Sequence, residues 1–202
     1  MRVSSTISML TVAAATTAGV QTAAADGYVE GIVGLAIPVG DDDYDGFADE
    51  SLKLGMRAGG GAGPTALELA LDFTPVNPEA ETGLLDISVQ RYRMLVAARH
   101  RVPAGPGTVF LRAGLGVDVL HYSASRSIFG VMFEASETDP GIAAEVGGGI
   151  TVPVGGKLYV GGHFALPMAF HFDDDDPMDP EDTDLEYTGY DIDLLLTIGT
   201  RQ

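Results

Sequence analysis

Through much of this chain, bulky apolar residues take every second position, and small or charged residues stand between them. Leu52, Leu54, Met56 and Ala58 share one parity, while Lys53, Gly55, Arg57 and Gly59 take the other. Leu67, Leu69, Leu71 and Phe73 likewise oppose Glu68, Ala70 and Asp72. Successive side chains of an extended strand point to opposite faces, so each run predicts a β-strand with one apolar and one polar face. Alternation and turn signals together place strands over 28–39, 52–60, 65–74, 85–102, 108–122, 141–154, 157–170 and 190–200. An even number of antiparallel strands can close on itself with both chain ends on one side.

The connections alternate in kind. Segments 59–64, 103–107 and 154–156 are compact and rich in Gly and Pro, whereas 41–50, 75–83, 123–139 and 173–189 are longer and polar. Every second connection is therefore a loop and the rest are tight turns. The fourth run breaks pattern: Leu85, Ile87 and Val89 alternate with Asp86, Ser88 and Gln90, after which Arg91 and Arg93 fall on the apolar parity. A β-bulge near Gln90 and Arg91 would return both arginines to the polar face. Pro38 and Pro153 fall at strand ends, where a missing N–H costs least, and Pro167 marks an early end to the seventh strand.

Alternation alone does not say which face meets solvent, since a soluble lipocalin-like barrel around an apolar ligand shows the same period. The polar parity decides it, because it mixes charge with Gly55, Gly59, Ala70, Gly114, Gly116, Ala143, Gly147, Gly149, Gly161 and Ala165. A solvated strand face gains nothing from Gly, while a narrow lumen needs small residues beside long ones. The polar face is thus expected inside. Lys53, Arg57, Arg91, Arg93 and Arg112 would share it with Glu30, Glu68, Asp72, Asp118, Glu145, Asp191 and Asp193, which offers partners of both signs to charges that must be paired when buried. His163 is expected there too, as a hydrogen-bonded lumen residue. Leu115, Val117, Val119, Ile142, Val146, Ile150, Phe164, Leu166, Leu194, Leu196 and Ile198 would face lipid, and Tyr28, Phe73, Tyr122, Phe170 and Tyr190 would sit near its interfaces.

The N-terminus reads as an export signal over residues 1–25: Arg2, an apolar and small-residue run from Ile7 to Val20, then Ala23-Ala24-Ala25. The remainder, 26–202, is the size of one domain. There is no cysteine, and no stretch of about 18 consecutive apolar residues that could span as a helix. The formal net charge of −18 argues against nucleic acid, whose phosphates are held by Lys and Arg.

The signal segment, the alternating strands and runs such as Gly147-Gly148-Gly149-Ile150-Thr151-Val152-Pro153-Val154-Gly155 together resemble small outer-membrane β-barrel proteins of the OmpA/OmpX-like type. The expected fold is all-β: an eight-stranded antiparallel up-and-down transmembrane barrel with short periplasmic turns and longer acidic extracellular loops. A filled barrel of this size leaves no wide diffusion pore, so function falls to the loops. The resemblance implies a monomer in the outer membrane, in contact with its lipid and lipopolysaccharide.

In the first loop Asp41, Asp43, Asp45 and Gly46 match the opening of an EF-hand-type calcium loop, with carboxylates at alternate positions before a turning Gly. Position twelve is Leu52 where that motif has a bidentate Glu, so Asp49 or Glu50 must substitute. Asp41, Asp43, Asp45 and Asp49 are the candidate ligands, calcium the candidate ion, and no cofactor is required; a plain solvated acidic loop is the competing reading. The fourth loop carries Asp173, Asp174, Asp175, Asp176, Asp179, Glu181, Asp182 and Asp184, broken by Pro177 and Pro180. Divalent cations bridging such loops to lipopolysaccharide phosphates fit this composition, as does adaptation to salt. An enzyme alternative places His121 and Ser123 with Glu134, Glu137 or Asp139, similar to outer-membrane lipid A deacylases; a polar strand end is the plainer account, and no catalytic residue is assigned.

Overall fold

Each of the eight alternating runs forms a strand, and the strands close into a barrel. The computed structural model describes residues 27–39, 48–61, 63–78, 86–128, 131–172 and 185–201, so the export signal lies outside the described residues. The barrel strands are β1 (Tyr28–Val39), β2 (Ser51–Gly60), β3 (Thr65–Pro78), β4 (Asp86–Ala104), β5 (Gly107–Ile128), β6 (Val131–Gly155), β7 (Leu158–Phe172) and β8 (Leu185–Arg201). A two-residue strand, Ala48–Asp49, precedes β2 and pairs with the end of β3, Asp49 opposite Asn77. Every neighbouring pair is antiparallel, and β1 pairs with β8 from Tyr28↔Arg201 to Val39↔Tyr190, which closes the sheet. Closure removes the edges that would otherwise expose backbone donors and acceptors.

Both ends of the described barrel lie at the end of the tight turns. There Gly63, Gly105, Gly155 and Gly156 have φ of 92°, 58°, 145° and 56°, a region that side chains with a Cβ rarely adopt. The turn end is tied by Arg101 N–H donating to Pro64 O (2.7 Å) and Arg201 N–H to Lys157 O (3.0 Å).

The barrel is polar inside and apolar outside. Lys53, Arg57, Glu30, Asp118, Glu145 and Asp193 are each at most 1 % exposed, whereas Leu67, Leu115 and Leu196 are 66–69 % exposed. All eight strands contribute to the outer apolar girth, among them Val33, Leu54, Leu67, Val96, Leu115, Val146, Phe164 and Leu194. An apolar carrier cavity is therefore ruled out, because the space it would need is filled by ion pairs. A continuous exposed belt of this kind far exceeds the patches that water-soluble monomers carry, and hydrocarbon is its fitting solvent.

Four expectations are corrected. No bulge lies at Gln90 and Arg91: β4 keeps one register with β3 and β5 throughout, and Val89, not only the arginines, points inward. The apolar parity of β4 crosses to the inside because the outer end of the lumen is capped by Val89, Leu120 and Tyr122. Pro167 does not end β7, which runs on to Phe172; instead the ladder to β8 lapses at 166–167, where the proline has no N–H, and slips between Met168 and Phe170. The segment 123–139 is no loop either. It continues the β5–β6 hairpin through Ser123↔Ser136 to Ile128↔Val131, with β4 alongside as far as Asp86↔Ser125. Tyr28 and Tyr122, finally, are not lipid-interface residues: Tyr28 is 4 % exposed and points into the lumen, and Tyr122 packs on Val89 and Leu120 inside it.

Candidate functional site

The lumen is the one place where alternation brings charge from all eight strands together. Odd positions of β4 deliver Val89, Arg91, Arg93, Leu95, Ala97 and Arg99 inward, and the matching parities of the other strands deliver the carboxylates. Nearest the turns, Arg99 Nη1 donates to Glu30 Oε1 (2.6 Å) and reaches Glu68 Oε2 (3.4 Å), its guanidinium lying 3.7 Å above the Phe110 ring. Two phenols complete this layer: Tyr28 Oη donates to Glu68 (2.6 Å) and Tyr159 Oη to Glu30 (2.9 Å). Their rings fit because Gly59 and Gly199 face them. A Cβ on Gly59 would stand 2.7 Å from Tyr28 Oη, and one on Gly199 2.6 Å from Tyr159 Oη.

In the middle layer Arg112 Nε donates to Glu68 Oε1 (2.5 Å) and its Nη1 pairs with Glu145. Arg57 sits 3.7 Å from both of these carboxylates and donates through Nη1 to His163 Nε2 (2.8 Å). A guanidinium can only donate, so Nε2 of His163 accepts, and the ring's Nδ1 is left to bond Thr197 Oγ1 at 3.3 Å. Lys53 bridges Asp193 (2.5 Å) and Asp72 (3.2 Å). Toward the loop end, Asp118 gathers Arg93 Nε (2.8 Å), Arg91 Nε (3.3 Å) and His171 Nε2 (3.3 Å); Arg91 Nη1 also holds Asp191 (2.7 Å). His171 Nδ1 meets Asp139 Oδ2 at 2.8 Å.

These contacts tie strands that do not touch in the sheet, such as β4 to β8 through Arg91 and Asp191. Their near-zero exposure leaves no room for bulk water beside them, so the described lumen is plugged. Each carboxylate of the described lumen is matched to an opposite charge.

All twelve charged residues expected inside are buried there, as is His163. Arg99, Tyr159 and His171 complete the network without having been singled out; parity alone would have found Arg99, which continues the odd series of Arg91 and Arg93. Asp41, Asp43 and Asp45 lie outside the described residues, and of Asp49 only the backbone pairing is described. Among the described residues no three His, Cys, Asp or Glu are placed to hold a metal. His121 Nδ1 bonds Thr138 Oγ1 (3.1 Å), Ser123 lies opposite Ser136, and Asp139 engages His171 on the other face, so Asp139 is not the acid of a relay with His121 and Ser123; the side chain of Glu134 lies outside the described residues.

No protein-family model matches the chain, and no curated protein matches it in sequence. Solved structures do match in fold. A major outer membrane protein from Thermus thermophilus aligns with TM-score 0.61 at 13 % identity, covering 88 % of this chain and 98 % of that one. Neisserial surface protein A aligns at 0.52 and 12 % identity (87 % and 95 % covered), and Ail, the attachment invasion locus protein of Yersinia pestis, at 0.52 and 10 % (89 % and 99 %). With a charged lumen, an apolar girth and this shared topology, the chain has the eight-stranded fold of small outer-membrane β-barrel proteins.

Proposed function

We propose that this protein is a non-enzymatic outer-membrane barrel, with the tight turns in the periplasm and the acidic loops outside, where they engage cations, lipopolysaccharide and extracellular partners. The observation that carries this reading is the inverted barrel itself: charges are buried and paired inside, and leucines, valines and isoleucines are exposed around the girth. A plugged lumen gives no route for solutes, so the barrel serves as a rigid platform for what it displays. The loop end supplies the rest. Excluding the paired lumen, nearly all carboxylates in the sequence fall in or beside its longer connections, including Asp41 to Glu50 and Asp173 to Glu186. Such a surface attracts divalent cations, and cations shared with lipopolysaccharide phosphates would join it to the outer leaflet. Asp41, Asp43, Asp45 and Asp49 are the proposed calcium ligands within it.

The test is fractionation of expressing cells with gel migration in SDS before and after boiling. Ser136→Cys, an exposed position in a chain without cysteine, can be probed on the same intact cells with an impermeant maleimide. Outer-membrane recovery, a heat-dependent shift and surface labelling are expected; soluble recovery without a shift would overturn the membrane reading, and labelling only after lysis would reverse the orientation.

A further inference from the structure

The apolar girth carries a trench on its turn-side half. On the outer face the register aligns Leu111, Gly148, Phe164 and Leu194 in one row, and Val109, Ile150, Gly162 and Leu196 in the next. Where Gly148 and Gly162 lack side chains, a shallow, widely open hollow of about 770 Å³ lies on the exterior, lined almost wholly by apolar atoms. Gly162 is the informative position. A Cβ there would meet nothing nearer than Leu195 O at 3.8 Å, so the backbone does not require glycine, unlike Gly59 or Gly199, which make room for tyrosine rings. Glycine inside a strand weakens it, and here the return is empty space on the surface that faces lipid.

Charge at the turn end says what fills that space. The rim carries Arg101, Lys157 and Arg201, and among the described residues it exposes no carboxylate. Lys157 is exposed in the β6–β7 turn, between the two strands that carry the trench glycines. It stands five residues before Gly162, about 16 Å along the strand, or about 12 Å along the membrane normal at a tilt of about 40°. One leaflet of hydrocarbon is about 15 Å thick, so a lipid whose phosphate lies level with Lys157 has its acyl chain level with the trench. We propose that the trench is a lipid-binding site for an anionic phospholipid of the turn-side leaflet, one acyl chain lying over Gly148 and Gly162 and the phosphate held by Lys157. This rests on the membrane-barrel reading above. A neutral lipid would fill the trench but gain nothing from the basic rim.

Native mass spectrometry of the full chain, released from mixed vesicles of phosphatidylglycerol and phosphatidylcholine, reads the occupant directly. The expected result is one retained phosphatidylglycerol per barrel. Gly162→Leu should lower retention at least tenfold, and Lys157→Gln should abolish the preference for phosphatidylglycerol. A heat-dependent gel shift in each variant shows that it is folded, and Lys157→Gln, at an exposed turn, reports independently of any strain at 162. Equal retention by Gly162→Leu and the unsubstituted protein would overturn the proposal, as would equal retention of both lipids. A photo-crosslinker at Leu196 that joins two copies of the chain would overturn it in favour of a protein interface. Absence of the gel shift from the unsubstituted protein would instead remove the membrane reading beneath it.

Discussion

At the scale of single residues, the lumen shows how a chain can bury thirteen carboxylate, Lys and Arg side chains and still fold. Each carboxylate meets at least one cation from a different strand, so the desolvation of one is offset by the other, and removing a single member is worse than removing both. Arg112 is the sharpest case because it stands between Glu68 and Glu145, both fully enclosed. Arg112→Met leaves Glu145 with only Arg57, at 3.7 Å. Urea unfolding from lipid vesicles should show a loss of about 3–5 kcal/mol for the single variant, as for other broken buried pairs. Arg112→Met combined with Glu145→Met should lose less than the single change. A double variant weaker than the single one would mean that the pair contributes net stability beyond relief of its own desolvation. The glycines belong to the same scale: Gly59 and Gly199 are set by the phenols opposite them.

At the scale of elements, a strand here faces two solvents at once, and its outer parity is graded by depth. Leu115, in the middle of the apolar run of β5 and 67 % exposed, should be costly to charge, whereas Val102, at the turn rim of β4, should not. Leu115→Arg is expected to destabilise the barrel in vesicles by about 2–4 kcal/mol and Val102→Arg by about 0–1 kcal/mol, measured by denaturant titration. Equal costs would say that the belt is not aligned with a bilayer. Beyond the belt the outward positions turn polar, as at Ser88, Gln90, His121, Ser123, Ser136 and Thr138, yet β5 and β6 stay paired. That extension was illegible in the sequence because segment 123–139 carries four Ser and two Glu around a Gly, which read as loop, while its pairing is fixed by the register inherited from below. Pro167 misled in the same way. Its missing N–H breaks the ladder only toward β8, and the partner on β6 holds the strand in place.

At the scale of the whole molecule, charge is sorted along the axis. The described lumen holds seven carboxylates against six Lys and Arg and is nearly neutral, and the described turn rim is basic, so the −18 net charge of the chain comes from its other segments, above all 41–50 and 173–186. Acidic segments this dense repel one another unless counter-ions gather about them. Calorimetry of the refolded barrel should detect calcium binding below millimolar concentration, lost when Asp41, Asp43 and Asp45 are changed together to Asn. Heat that survives that substitution would assign the binding to other acidic segments, and no heat at millimolar calcium would remove the first loop as a calcium site.

The alternation of Leu, Val and Ile with Gly, Arg and Glu determined by itself the strand count, the closure and the inward side, because a period of two admits only two faces and Gly beside Arg fits only a crowded one. Parity also named most of the charged lumen. What it could not name was the partner of each charge, since the contact between Lys53 and Asp193 or Arg99 and Glu30 depends on how far each strand is staggered around the barrel. Tyr28 and Val89 share the parity of Glu30 and Arg91 and point inward with them; what only the tertiary structure decided is whom they meet there, Glu68 for the phenol and Leu120 for the valine, because that depends on the stagger of strands far apart in sequence.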